Sequence, residues 1–125
     1  MAEARLHSAA EMGGLLLSVR ASHGSLLQRV KEYRTKIPIF VSEWGTSSYS
    51  GDGGVCKCEA KEFLDVFSDK DGSGGVTLSM AQWSWADKSE SSAALAPGAC
   101  RNGDWDSLSE SGAFLRAYVR DATRA

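Results

Sequence analysis

The sequence predicts an α/β domain built around a parallel sheet. Three observations carry that expectation. Two short apolar runs, Ile37 to Val41 and Val76 to Trp83, have the length of strands. Three segments with apolar residues three and four apart flank them, as helices would. The stretches between are rich in Gly, Ser and Asp. The order helix, strand, helix, strand, helix implies parallel pairing through right-handed crossovers.

Each element rests on its own pattern. Residues 1 to 21 show no convincing period. From Ser25 to Lys36, Leu26, Leu27, Val30 and Tyr33 form one stripe, with Gln28, Arg29, Lys31 and Glu32 between them. Ile37 to Val41 reads as a buried strand, with Pro38 tolerated near its start. "GTSSYSGDGG" is a loop by composition. Ala60, Phe63, Leu64 and Phe67 make a second helical stripe, and "SDKDGSGG" a second loop. Val76 to Trp83 is the second strand, followed by a long loop over residues 86 to 106. Ser107 and Glu110 have the spacing of a capping box, ahead of a last helix with Phe114, Leu115, Tyr118 and Val119.

Composition narrows the function classes. The chain has 125 residues, the size of one small domain, and a net charge of −2. That balance offers no basic footprint for nucleic acid or an anionic membrane. No apolar run is long enough to span a bilayer. The N-terminal stretch has only a short apolar run, Leu15 to Val19, with Glu3 and Glu11 nearby, so no export signal is expected. Cys56 and Cys58 are spaced C-x-C, not C-x-x-C, and His7 and His23 lie far upstream. No metal site and no cofactor are expected. An odd cysteine count permits at most one bridge within the chain, for example to Cys100.

Chemistry enters at "IPIFVSEWGTS", residues 37 to 47, where an apolar run meets Glu43, Trp44 and Gly45. A strand that only fills a core gains nothing from that ending. Parallel sheets carry their ligand sites at the carboxyl ends of the strands. Glu43 and Trp83 each end a predicted strand, so they are candidates for one rim.

Three stretches in order, "PIFVSEWGTSSYSGDGG", "AQWSWADKSESSAALAPGA" and "GDWDSLSESGAFLRAYVR", resemble the C-terminal part of the family 5 glycoside hydrolases. The similarity is to the endo-β-1,4-glucanases, or cellulases, of that family. It covers residues 21 to 125. Residues 1 to 20 are unmatched and are expected to be a disordered or non-native segment. The resemblance implies about strands seven and eight, with flanking helices, of a (β/α)8 TIM barrel left incomplete. It implies retaining hydrolysis of β-1,4-glucan, with Glu43 as nucleophile. Trp83 falls where the family has an aromatic sugar platform, and Lys88 and Glu90 where it binds sugar hydroxyls. His23 falls near a rim histidine. The implied partner is a β-glucan polysaccharide or oligosaccharide, and the family is usually secreted.

The departures are as informative. The family's general acid sits in an Asn-Glu pair, and none occurs here; Asn102 is the sole asparagine. The chain by itself is therefore expected to be inactive, and open sheet edges are expected to favour self-association. A non-catalytic carbohydrate-binding role for Trp83 is one alternative. An EF-hand-like loop over residues 69 to 80 is another: Asp69, Asp71, Ser73 and Gly74 fit, but Met80 stands where a bidentate Glu should. Trp85, Trp44 and Trp105 read as packing residues.

Overall fold

The computed structural model describes residues 6–9, 14–19, 24–48, 50–72 and 74–122. The element order is β1 (Leu6–Ala9), β2 (Gly14–Val19), α1 (Gly24–Tyr33), β3 (Ile39–Trp44), α2 (Lys57–Phe67), β4 (Ser79–Gln82), α3 (Ala99–Asn102) and α4 (Glu110–Ala122). Every helix and strand expected from the periodicity is present, with shifted ends. The sheet runs β1-β2-β3-β4, and β2, β3 and β4 are mutually parallel. It is open among the described residues.

The apolar stripes make one core. Leu26, Leu27 and Val30 of α1 meet Ile39, Val41 and Trp44 of β3, and Ala60, Phe63, Leu64, Val66 and Phe67 of α2. Both helices thus cover the same face of β3. Burying each larger side chain here contributes about 1.5–3 kcal/mol. Among the described residues the other face is open at Phe40, which lies between Ile39 and Val41 and is 44% exposed. Parallel sheets are normally covered on both faces, so half of that requirement is unmet.

Several expectations need correction. β3 begins at Ile39 and continues through Glu43 and Trp44, because those residues pair with β2 and β4. β4 begins at Ser79, not Val76; the chain before it is held elsewhere, with Leu78 N–H donating to Phe67 O at 2.7 Å. Residues 1 to 21 have no period, yet β2 lies parallel to β3 and pairs antiparallel with β1. Strands this short are specified by their neighbours more than by their own pattern. Ser107 does not cap α4. The Leu95–Leu108 bridge keeps residue 108 extended, and the helix starts at Glu110. Ser109 caps it instead: its Oγ accepts from Gly112 N–H at 3.1 Å.

Tyr33, expected in the α1 stripe, is exposed, and Arg34, one residue on, is buried. The helix ends at Tyr33, and the next turn drives Arg34 under the loop after α2. Its guanidinium donates to Val66 O at 2.5 Å and pairs with Asp69 at 3.0 Å and Asp71 at 3.2 Å. Lys31 also reaches Asp71, at 3.3 Å. This bears on the EF-hand alternative. Asp69 and Asp71, the acidic positions of that loop, are paired with two protein cations; Ser73 lies outside the described residues. Among the described residues, no three His, Cys, Asp or Glu are grouped to hold a metal. Arg34→Met should lower stability by about 2–3 kcal/mol, the loss of buried hydrogen bonds to charged groups. Urea unfolding would check it, and an unchanged midpoint would refute the anchoring role.

The three cysteines are free and exposed. No helix among the described residues is long and apolar enough to cross a membrane.

Candidate active-site rim

Glu43 owes its direction to one extra residue. On the β2 side, Leu17 is paired with Val41 while the next residue, Ser18, is paired with Glu43. On the β4 side, Met80 is paired with Val41 and Gln82 with Trp44. So β3 bulges between Val41 and Trp44. Side chains alternate along a strand, and an added residue reverses the alternation. Trp44 thereby rejoins Ile39 and Val41 on the core face, 2% exposed. Glu43 moves to the face of Phe40 and is half-buried. Without the bulge, Glu43 would point among the core side chains.

Trp83 stands beside this point. Its backbone N–H donates to Trp44 O at 2.7 Å, extending the β3–β4 pairing by one residue. Gly45 is needed at the junction, since a Cβ there would lie 3.0 Å from Trp83 O. The Trp83–Ser84 peptide bond is cis. Trp83 is 40% exposed, and Lys88 Nζ lies 5.9 Å from its ring centroid. Lys88 pairs in turn with Glu90 Oε2 at 2.5 Å. Glu43, Trp83, Lys88 and Glu90 therefore gather where β3 and β4 end. His23 lies outside the described residues.

Beneath the rim is a layer of serines and a threonine. Ser92 is buried; its Oγ donates to Glu90 Oε1 and its N–H to Gly51 O at 2.9 Å. Ser92 O accepts from Ser84 N–H at 3.2 Å and from Ser111 Oγ at 3.4 Å. Thr46 Oγ1 donates to Ser111 Oγ at 2.7 Å. Buried hydroxyls satisfied in this way tie both strand ends to the start of α4. In the sequence these residues read as loop filler. Their only signal is the density of Ser in both segments.

Outside that layer, Asp52 Oδ1 accepts from Ser91 Oγ at 2.8 Å and from Gly53 N–H at 3.1 Å. The Ser91 hydroxyl first, then the Gly53 amide, hold the Asp52 carboxyl below the usual carboxylate range. The sign follows. A depressed carboxyl favours the folded loop above its unfolded pKa, and that contribution disappears as pH falls through the depressed value. The loop closure should therefore outlast the ordinary carboxylate titration on acidification. An NMR titration of the Asp52 carboxyl carbon checks this; a midpoint at or above the ordinary value would contradict it.

Trp85 and Trp105 are not packing residues here. They are 56% and 58% exposed and line a groove of about 390 Å³ with Leu108, Leu115 and Val119. The stripe of α4 is only partly covered: Phe114, Leu115 and Tyr118 are half-buried. Trp44 is buried as expected.

No protein-family model matches the chain. Individual proteins do. It is 44% identical over 105 residues to endoglucanase A of Evansella cellulosilytica, covering 81% of this chain and 20% of that protein. The catalytic domain of a Thermobifida fusca endoglucanase superposes with a TM-score of 0.75 at 25% identity, covering 86% of this chain and 35% of that one. A thermostable, halotolerant GH5 cellulase from an Icelandic hot spring isolate gives a TM-score of 0.57 at 38% identity, covering 68% of this chain and 26% of that one. The chain spans about a fifth of the length of the curated relatives it matches. Agreement in sequence and in backbone over the same rim-bearing elements assigns it to a family: the chain belongs to the family 5 endoglucanases, a group of O-glycosyl hydrolases, and corresponds to a part of them.

Proposed function

We propose that this chain supplies the nucleophile-bearing rim of a retaining β-1,4-glucan hydrolase. The observation that carries the reading is the bulge in β3, which turns Glu43 out of the core next to Trp83. Glu43 would attack the anomeric carbon and form a covalent glycosyl intermediate, which water then hydrolyses. Trp83 would stack on the apolar face of a glucose ring, and Lys88 and Glu90 would donate to and accept from its hydroxyls. Retention requires a second carboxyl about 5 Å from the first, acting as acid and then base. The sheet face open at Phe40 and the family relationship support a closed (β/α)8 barrel as the setting in which that second group is brought to Glu43.

The part of this reading that the chain can express alone is sugar binding. Titration with cellotetraose, followed by NMR of the Trp83 indole N–H, should give saturable binding. Trp83→Ala should weaken it about tenfold, the loss of roughly 1.4 kcal/mol of aromatic contact. The reading falls if cellotetraose does not bind, or binds equally well without Trp83.

A further inference from the structure

Lys88 and Glu90 belong to a loop with no regular secondary structure, yet Lys88 pairs with Glu90 and lies over Trp83. Hydrogen bonds between two loops explain why. The segment after β3, residues 51 to 54, closes on the segment after β4, residues 90 to 92. Ser91 Oγ donates to Asp52 Oδ1 at 2.8 Å and accepts from Gly54 N–H at 3.0 Å. Beside it, Ser92 N–H donates to Gly51 O at 2.9 Å, and Ser92 Oγ holds Glu90 Oε1. The other Glu90 oxygen holds Lys88, and Lys88 lies over the Trp83 ring. Asp52 is fixed from its own side as well: Ser48 Oγ donates to its carbonyl at 2.6 Å, and Gly53 N–H to its carboxylate.

We propose that Asp52 and Ser91 are positioning residues. By clasping the two rim segments together they hold Lys88 and Glu90 against Trp83, in the arrangement that receives a glucose unit. The sugar-receiving part rests on the binding role proposed above; the clasp itself does not. The physical gain is pre-organisation. Lys and Glu are long and rotamer-rich, and a side chain already held in its bound geometry loses less entropy on binding. The hydrogen bonds of Asp52 and Ser91 run to each other and to Ser48, Ser50, Gly53 and Gly54, so their influence on Lys88 and Glu90 passes through the loop.

The test uses the whole chain and two readouts. In the sugar-free protein, NMR cross-relaxation between the Lys88 side chain and the Trp83 ring should be present. It should vanish in Asp52→Ala and in Ser91→Ala, and persist in Ser91→Thr, which keeps the hydroxyl. Melting temperatures of all three should stay within about 4 °C of the parent, because surface hydrogen bonds of this kind contribute about 0.5 kcal/mol or less. Cellotetraose binding should weaken about 2- to 10-fold in the two alanine variants and recover in Ser91→Thr. Persistence of the Lys88–Trp83 cross-relaxation in both alanine variants overturns the proposal, whatever the sugar does. If the parent binds no sugar but the cross-relaxation still vanishes in the variants, the sugar role is overturned and the clasp upheld. If it vanishes together with a melting temperature lowered by more than about 4 °C, the role is structural and positioning is overturned.

Discussion

The purified 125-residue chain should leave a soluble β-1,4-glucan uncut. Protonation of the leaving group by a positioned acid contributes about 10²- to 10⁴-fold to such reactions. The resemblance puts that acid in an Asn-Glu pair, and the sole asparagine here, Asn102, is followed by Gly103. Glu90, on the same rim as Glu43, is no substitute. Its two oxygens are engaged by Lys88 and by the Ser92 hydroxyl. The full deficit should exceed the acid's share. Among the described residues the Glu43 side of the sheet is open at Phe40, and the proposed nucleophile, if reached by water, gains little from fixed dipoles. A reducing-sugar assay on a soluble cellulose derivative is the measurement. Turnover by the isolated chain, abolished in Glu43→Gln, would show that the catalytic set is complete within it.

The second large effect is on folding. Gly112→Ala should destabilise the chain by about 3 kcal/mol or more, lowering the melting temperature by roughly 10 °C or more. A Cβ at residue 112 would fall 1.9 Å from the carbonyl oxygen of Ala94 and 2.8 Å from its carbonyl carbon. Those are backbone atoms, and they cannot rotate away. Ala94 O also accepts from Ser109 N–H at 3.0 Å, and the Ser109 side chain caps the helix through Gly112 N–H. Relieving the clash would lift the first turn of α4 off the loop that carries Ser92. Ala113→Ser, on the exposed next position, is the control and should be close to neutral. Equal melting temperatures for the two variants would mean that α4 is not seated on Ala94.

Much of the architecture is readable from local pattern. The stripe of α2 follows from Ala60, Phe63, Leu64 and Phe67, and all four are buried. The stripe of α4 is as clear in the sequence, yet Leu115 and Val119 line an open groove. Periodicity identifies which face is apolar, not whether anything covers it. β2 escapes a reading by pattern because a short strand is selected by pairing, here with β3, more than by its own residues. The cap of α4 is expected two residues early, since Ser107 has the better motif but the Leu95–Leu108 bridge holds the chain extended beside it.

The candidate rim divides in the same way. That Glu43 ends an apolar strand, that Trp83 ends the next, and that Lys88 and Glu90 follow are properties of neighbouring residues, and the sequence by itself determined them. Which way Glu43 points was decided only in three dimensions. The bulge at β3 exists through its register with β2 and β4, and a single added residue exchanges core for rim. The clasp of Asp52 with Ser91 was likewise invisible, because it joins hydrogen-bonding groups 39 positions apart that only the pairing of β3 with β4 brings together.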